Sequence, residues 1–567
     1  MKPSFSWMKS GGNNITGLLT ILSNNLYKLR RSFTIWMAFA LLIVLLIATP
    51  ILTIAVSILE GPGETMQHLS TTVLKDYIVN SVAIMVGTGL LSLLLGISTA
   101  WFVSTCQFPG KKIFEWALIL PLAIPTYIIA ITYAGIADFT GFFQTSLKAI
   151  TGSYVSIDVM NIYGVIWIMS FVLYPYIYLI ARASFTSQSR TILESGRMLG
   201  AGSYATFFKL ALPVTRPAII GGLTLVLMEV LNDYGAVKYF GVSTFTTGIF
   251  RAWLSLGDFN AAVYLSAILM LFILTLILLE RYQRGQAKYD DGNATPKPLR
   301  PYQLKGWQKT VVFVICFTPL FFGFLLPLIQ LFVWATSTFS SVINWQFLQL
   351  IINSFSLAVA ASVICLLAAT VLIYSVKLNQ SLAMKTLARF SVLGYSIPGA
   401  VIAVGVMVPL LFLDKSLVPL LEDLTGSAYG LLLTGTSFAL LFAYLVRFLA
   451  VAYNPIDAGF KKVGNSVDEA SRSLGAGPFK TLTKIHLPLI KGALLSGALL
   501  VFVDVLKELP LTLILRPFNF NTLATKTFEL AGDEMIAESA IPALIIIATG
   551  VVPIIILSNL ISGGTKK

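Results

Sequence analysis

Twelve long apolar stretches follow one another along the chain, and they restrict its fold more than any other feature. A run of about 20 apolar residues crosses the hydrocarbon core of a bilayer as one α-helix. The predicted spans lie near residues 33–59, 77–105, 113–137, 161–185, 214–237 and 259–280, and then near 309–336, 350–376, 388–413, 427–453, 488–515 and 538–561. The sequence therefore predicts an all-α polytopic membrane protein with about 12 transmembrane helices.

The composition agrees with a membrane protein and argues against several other classes. Of the 567 residues, 56% are hydrophobic and 11% are charged, whereas soluble domains are about 45–50% apolar and about 25% charged. The net charge of +14 is not gathered in a polar domain, so we expect no nucleic-acid partner. Two histidines and three isolated cysteines leave little material for a metalloenzyme.

Basic residues are distributed unevenly between alternate loops. They are concentrated before the first span, after the second, between the sixth and the seventh, and at the C-terminus. Basic loops stay in the cytoplasm, so we expect a multi-pass protein of the bacterial inner membrane with both termini cytoplasmic. The polar stretch 286–308 is predicted to be a cytoplasmic linker between a first module, 1–285, and a second module, 309–567.

The two modules repeat the same pattern of residues. The stretch "ESGRMLGAGSYATFFKLALP" begins at Glu194 and "EASRSLGAGPFKTLTKIHLP" begins at Glu469, an offset of 275 residues. Nearer the start of each module the offset is 273, which pairs Ile124-Pro125 with Ile397-Pro398. The order of elements repeats with the same polarity, which predicts parallel repeats about an axis along the membrane normal.

Each copy of the repeated stretch predicts a helix, a glycine turn and a second short helix on the cytoplasmic side. Gly200 and Gly475 permit the positive φ that a sharp turn needs. An ordinary amphipathic helix at the membrane surface is the alternative. That alternative does not explain why Glu, Gly and Leu-Pro recur at the same spacing in both modules.

The repeated stretch resembles the cytoplasmic coupling motif of permease subunits of ABC importers. That motif runs from E-A-A through a glycine to I-x-L-P, and nearly the whole chain fits the family as two six-span modules of the type I importer fold. The resemblance implies coupling loops at 186–213 and 461–488 that dock ATP-hydrolysing subunits. The coupling residues it implies are Glu194, Gly200, Leu212 and Pro213, and Glu469, Gly475, Leu487 and Pro488.

The same resemblance implies which partners the permease needs. The chain contains no G-x-x-x-x-G-K-[ST] motif, so ATP is expected on a partner and no cofactor is expected to stay bound to this chain. Two coupling loops imply two copies of an ATPase subunit. A separate extracytoplasmic binding protein is expected to deliver the substrate, and the chain itself is not expected to be an enzyme.

Acidic residues within two spans are the candidate translocation residues. Glu229 and Asp233 are four residues apart, and the offset of 275 carries them onto Asp504 and Glu508. Spacing of four places each pair on one face of a helix, so all four acids are expected to meet across the repeat axis as a pathway for cations. The alternative is structural, with the acids paired to Lys507 or Lys238 or capping helix ends.

Two further stretches, 170–185 and 233–258, resemble ferric-iron importer permeases, which are commonly fused doubles. The resemblance implies ferric iron as the substrate, delivered by an iron-binding protein, with Glu229 and Asp504 as transient metal ligands. Thiamine, another cation carried by fused permeases, stays open as an alternative, whereas an acidic path fits sulfate or phosphate poorly. A proton-coupled secondary transporter is the alternative from another class, although it does not explain the repeated coupling motif.

Overall fold

The computed structural model describes residues 35–152, 158–187, 202–284 and 302–563. Of the predicted coupling residues, Glu194 and Gly200 lie outside these ranges. The described chain is almost entirely helical, as the apolar runs predict.

The helices of the first half begin after residue 34 and end at residue 284. Short 3₁₀ turns cover Ile58–Glu60 and Leu120–Ala123, and π-helical turns cover Thr206–Ala211 and Arg251–Ser255. The α-helices are α1 (Ile35–Ser57), α2 (Glu64–Thr72), α3 (Leu74–Thr105), α4 (Lys111–Ala117), α5 (Thr126–Ala137), α6 (Phe142–Thr151), α7 (Ile162–Ser187), α8 (Ser203–Ala205), α9 (Leu212–Asn232), α10 (Gly235–Tyr239), α11 (Phe245–Phe250) and α12 (Phe259–Arg284).

The helices of the second half repeat this order. A 3₁₀ turn covers Val392–Ser396, and π-helical turns cover Phe321–Leu325 and Leu482–His486. The α-helices are α13 (Trp307–Leu320), α14 (Leu326–Val342), α15 (Trp345–Leu378), α16 (Leu382–Ser391), α17 (Gly399–Thr425), α18 (Ser437–Lys462), α19 (Asn465–Ser473), α20 (Pro478–Thr481), α21 (Leu487–Leu489), α22 (Lys491–Leu506), α23 (Pro510–Leu515), α24 (Leu523–Gly532) and α25 (Ala540–Gly563).

The predicted spans and the observed helices correspond in order. Within the described ranges, nine helices are long and apolar enough to cross a bilayer, and two further spans are pairs of helices joined at a sharp bend. The last predicted span contains the shorter apolar helix Ala540–Ile555. Together these account for each of the predicted spans.

Two predicted spans are not continuous helices, and proline explains the break in each. The spans predicted at 113–137 and 388–413 are each broken before a proline, and α5 begins after Pro125 whereas α17 begins after Pro398. Proline lacks an N–H and pushes the residue before it out of the helical region. Ile124 and Ile397 accordingly have ψ angles of 118° and 133°.

The first span of each half packs against the opposite half. α1 packs on α15, α16 and α17, and its Thr53 hydroxyl donates to the Gly405 carbonyl at 3.1 Å. In return, α14 packs on α5, and the turn that precedes α14 contacts α7. The Tyr133 hydroxyl donates to Phe322 O in that turn at 2.7 Å. The two sequence modules are therefore interlocked in space, because each completes its core with a helix of the other.

The end of the predicted linker is structured. Tyr302–Gln303 forms a two-residue strand, β2, that pairs in parallel with β1, Cys106–Gln107. The stretch predicted as a linker thus ends against the first half before α13 begins.

Matching hydrogen bonds confirm the repeat at the level of side chains. Asn80 Nδ2 donates to Ser243 O at 2.9 Å, and Asn353 Nδ2 donates to Asn521 O at 3.4 Å. In each half the accepting residue directly precedes a threonine that caps a helix, α11 or α24, through a reciprocal capping box. These contacts hold the segment that follows the acid-bearing helix of each half.

Candidate translocation cavity and coupling surface

A cavity of about 130 Å³ lies between elements of the two halves. Its walls come from α5, α7, α9 and α10 of the first half and from α18, α22 and α23 of the second. All four predicted acids line it, together with two basic residues, Arg447 and Lys507. The four negative and two positive side chains leave the lining with a formal charge of −2.

The four acids reach this cavity by a geometry that the spacing did not predict. Glu229 and Asp504 lie in the last turns of α9 and α22, but both helices end before the second acid of each pair. Asp233 has an extended backbone, with a φ of −68° and a ψ of 132°. The expectation of one helix face for each pair is therefore wrong, because the helix breaks between the two acids and a new short helix starts after them.

The acids of the first half are surrounded by neutral donors. Asp233 Oδ1 accepts hydrogen bonds from Ala236 N at 3.0 Å and Val237 N at 3.2 Å, which caps α10. Its other oxygen accepts from the Thr126 hydroxyl. Glu229 is hydrogen-bonded to the Tyr176 side chain. Neither carboxylate has an ion pair among those found in the described part of the chain.

The acids of the second half are paired with cations. Lys507 Nζ lies 2.9 Å from Asp504 Oδ1, and Arg447 Nη2 lies 3.4 Å from Glu508 Oε2. Glu508 Oε1 also accepts from Leu511 N at 3.0 Å and so caps α23. Asp233 and Glu508 therefore cap helices and Asp504 is paired with Lys507, as the structural alternative predicted. All three acids nevertheless line the cavity. Lys238 lines a different cavity.

The difference between the halves can be traced to three pairs of positions. The offset of 275 carries Asn232 onto Lys507 and Val172 onto Arg447, so both cations replace neutral residues. The offset of 273 carries Thr126 onto Gly399. A Cβ atom on Gly399 would collide with the Arg447 guanidinium, so this glycine provides the room that the cation occupies. Gly399 N also donates to Asn232 Oδ1 at 2.9 Å across the two halves.

The cavity is not a ready-made metal-binding site. Among the described residues, no group of three or more His, Cys, Asp or Glu side chains is arranged to hold a metal ion. Its other polar side chains include tyrosines and a threonine. Any cation that enters meets carboxylates that already have partners, which favours passage over storage.

The second predicted coupling loop forms an exposed surface beyond the end of α18. Glu469 is exposed on α19, and Gly475 ends that helix with a φ of +76°. Leu474 and Phe479 are 87% and 69% exposed. Large apolar side chains that stay exposed outside the bilayer indicate a surface for another protein.

The remaining predicted coupling residues follow the turn. Leu487 is half-buried and Pro488 is exposed at the start of α21. In the first half, Leu212 and Pro213 have the same burial and begin α9. Both halves reach these residues through a π-helical turn, Thr206–Ala211 in one and Leu482–His486 in the other.

A partly buried polar cluster, which sequence reasoning missed, anchors α19, the helix of the second predicted coupling loop. Asp468 of α19 lies 2.8 Å from Lys377 Nζ and 2.7 Å from His486 Nε2. Burial disfavours the charged carboxylate, but the adjacent Lys377 ammonium and the His486 ring outweigh it and hold the pKa of Asp468 below its usual range. At the equivalent positions the first half has the uncharged residues Ser104, Leu193 and Ala211. This difference between the two copies of the repeat was the only sign of the cluster in the sequence.

Arg447 was also missed, although an arginine inside an apolar span is costly and marks a functional position. It stands in the middle of α18, within "AYLVRFLAV". Its acidic partner is 61 residues away along the chain, so the pairing could not be predicted from spacing along a helix.

Comparison with known proteins matches residues 92–286 and 379–567 to one family, described as the inner membrane component of binding-protein-dependent transport systems. The family match therefore occurs twice, once in each half. Its two segments begin in α3 and at the residue after α15 and cover the acid-bearing helices of both halves.

Individual relatives align with most of the chain or with less than half of it. A Fe(3+)-transport system permease protein of Haemophilus influenzae is 25% identical over 503 residues, which span 88% of this chain and 92% of that protein. A ferric transport system permease protein of Actinobacillus pleuropneumoniae is 22% identical over 462 residues, 78% of this chain and 65% of that protein. A probable sulfate transport system permease protein of Nephroselmis olivacea is 23% identical over 266 residues, 45% of this chain and 92% of that protein.

Proposed function

Because the chain belongs to the family of inner membrane components of binding-protein-dependent transport systems, we propose that it forms the translocation path for ferric iron. A permease of this family is the membrane component of an ABC importer, not a proton-coupled secondary transporter. It works with a substrate-binding protein and an ATPase. We further propose an iron-binding protein outside the membrane and two ATPase copies, one at each coupling surface.

The acidic cavity is the observation that supports a cationic substrate. Four carboxylates from both halves meet in one space whose lining carries a formal charge of −2. A cavity lined by net negative charge attracts cations and repels anions. Carboxylate oxygens are also the ligands that hard cations such as ferric iron prefer. The sulfate-named relative of Nephroselmis olivacea aligns with 45% of the chain, whereas the two ferric-named relatives align with 88% and 78% of it.

Uptake of radioactive iron tests this proposal. The complete importer, with its ATPase and binding protein, would be reconstituted in liposomes and assayed with and without excess thiamine. We expect ATP-dependent iron uptake that thiamine does not reduce. The double variant Glu229→Gln with Asp504→Asn keeps side-chain size but brings the formal charge of the lining to zero. It should lower uptake by at least about 10-fold, because the attraction for a cation is lost.

A matched control removes two acids far from the cavity. Glu64 and Asp423 are exposed, so Glu64→Gln with Asp423→Asn changes the net charge of the protein by the same amount. We expect uptake within about two-fold of wild type for this control. Equal losses in the two double variants, or iron uptake that does not depend on ATP, would contradict the proposal.

Thiamine is the second candidate because of the aromatic lining. Tyr127, Tyr176 and Tyr395 border the cavity beside the acids, and aromatic faces attract organic cations. Competition in the same assay separates the candidates, since uptake of labelled thiamine with no uptake of iron would favour thiamine.

The topology that we propose places both termini and the 286–308 segment in the cytoplasm, the side that carries the excess of basic residues. Single cysteines introduced at Asp290 and Leu420 would be labelled with an impermeant reagent in intact and opened cells. Labelling of both from the same side would contradict this arrangement.

A further inference from the structure

Arg447 is buried in the cavity wall but is held loosely. Its side chain is 8% exposed, and its closest approach to Glu508 is 3.4 Å, longer than the usual charge-assisted hydrogen bond of about 2.7–2.9 Å. Nε and Nη1 have no hydrogen-bond partner among the described residues. A buried arginine that serves only stability normally has its donors satisfied, so this arrangement indicates a different role.

Gly399 leaves the space that the Arg447 guanidinium occupies beside Glu508. Gly399 has no side chain where Thr126 stands in the first half, and a Cβ at this position would come within 2.8 Å of Glu508 Oε1 as well as striking the guanidinium. Lys507, by contrast, forms a short contact of 2.9 Å with Asp504 on its own chain segment. The two cations of the cavity are therefore not equivalent, since one is tightly paired and the other is not.

We propose that Arg447 is a displaceable counter-ion, which occupies the carboxylate of Glu508 while the cavity is empty and gives it up when a cationic substrate enters. The inference rests on the proposed function in that the physiological substrate is a cation. Without a counter-ion, a carboxylate that is 6% exposed would stay buried and unpaired between transport cycles, which is costly. When the substrate leaves, return of the guanidinium competes for Glu508 and favours release.

This role predicts that removing Arg447 makes a multivalent cation bind more tightly and leave more slowly. Tb³⁺ is the probe, because nearby tyrosines sensitise its luminescence and Tyr176 and Tyr395 line the cavity. The full-length chain in complex with its ATPase would be titrated in nanodiscs. Arg447→Met should bind Tb³⁺ at least about 10-fold more tightly than wild type, because one positive charge leaves the lining. Adding Glu229→Gln to it should reverse much of that gain.

Two variants separate this role from net charge and from stability. Lys507→Met removes the same charge from the tightly paired position, so we expect a smaller gain in Tb³⁺ affinity. Gly399→Ala keeps the charge but displaces the guanidinium, and it should raise the affinity part of the way. If Arg447→Met does not fold, the Gly399→Ala variant still decides the question. Arg447→Met combined with Glu508→Gln restores the charge balance and should return the affinity to near the wild-type value.

Three results would overturn the proposal. They are a Tb³⁺ affinity of Arg447→Met equal to that of wild type, an equal gain in Lys507→Met, and an unchanged affinity in a folded Gly399→Ala variant. The outcome is independent of the uptake assay. A wild-type importer that does not carry iron would contradict the proposed function, while the Tb³⁺ titrations would still show whether Arg447 yields to a multivalent cation.

Discussion

The two halves share one scaffold but balance their buried charges differently. In the first half, hydroxyl groups and backbone N–H groups surround Asp233 and Glu229. In the second half, Arg447 and Lys507 stand beside the corresponding acids. The coupling region repeats this difference, because Lys377 and His486 replace a serine and an alanine. At all four of these positions, it is the second half that carries the basic side chain.

This contrast teaches that a duplicated membrane module keeps its geometry through its backbone and its caps, while its charges are free to diverge. The halves retain the proline breaks, the capping boxes and the π-helical turn that precedes Leu212 in one half and Leu487 in the other. A fused chain can place different residues in the two halves, whereas two copies of one short chain cannot. The cavity could therefore acquire fixed cations on one side only.

The largest effect is expected at the coupling turn, a feature that the two sequence copies share. Gly475 has a φ of +76°, and a Cβ atom added to it would meet no other atom within 4 Å, so Gly475→Val acts through the backbone and not through a clash. Valine strongly disfavours this conformation. We expect at least about 20-fold less ATP-dependent uptake with normal membrane insertion, because α19 no longer turns correctly onto the ATPase.

Gly477→Val is the matched control, since this residue has a φ of −70° and also lies in open space. It should leave uptake nearly unchanged. Gly200→Val tests the turn that the sequence predicts at the equivalent position of the first half. Normal transport in both Gly475→Val and Gly200→Val would show that neither glycine turn is needed for coupling.

The next effect compares the acids of the two halves. Glu229→Gln removes an acid that forms no ion pair among the described residues, so the lining becomes less negative and uptake should fall about 10-fold. Asp504→Asn combined with Lys507→Asn removes an acid and its cation together and leaves the formal charge unchanged. We expect at most about a three-fold loss for this pair. The opposite order of effects would mean that position, not charge balance, governs passage.

A smaller effect, on stability, is expected from the cluster beneath the second coupling helix. Asp468→Asn leaves Lys377 and His486 without their acid, and leaving the partners of a partly buried polar group unsatisfied costs about 1–3 kcal/mol. The triple change of Lys377→Ser, Asp468→Leu and His486→Ala installs the residues of the first half. It should recover most of the loss in thermal unfolding temperature. If the triple variant is less stable than Asp468→Asn, the residues of the first half cannot replace the cluster in the second half.

The smallest effect concerns pH. Because the folded-state pKa of Asp468 is lowered, the stability it contributes is fully present above its unfolded pKa of about 3.9 and is lost as pH falls through the folded value. In a His486→Gln background, the difference in unfolding temperature between Asp468 and Asp468→Asn should stay constant from about pH 8 to 5 and shrink only below about pH 4. A change between about pH 8 and 5 would contradict this assignment.

Much of the fold was predictable because apolar length and repeated motifs are local signals. The spans, the repeat and the meeting of the four acids all follow from residues that are close in sequence or share an offset. The contacts of Arg447 with Glu508 and Gly399 could not be predicted in this way, because the three residues come from separate parts of the chain. The packing of α1 on the second half was not predictable either, since α1 is apolar on all sides and its pattern marks no preferred partner.

The interlocked first helices also have a consequence for how the protein is made. Of the described helices, α1 leaves the ribosome before the others, but the helices it packs against in the second half begin at Trp345. At about 5–20 residues per second, roughly 290 residues of further synthesis take about 15–60 s. During that interval α1 sits in lipid with those neighbours still unmade. The first half therefore waits in the membrane as an unfinished assembly, and an insertase or chaperone that shelters single helices has the longest opportunity to act on α1.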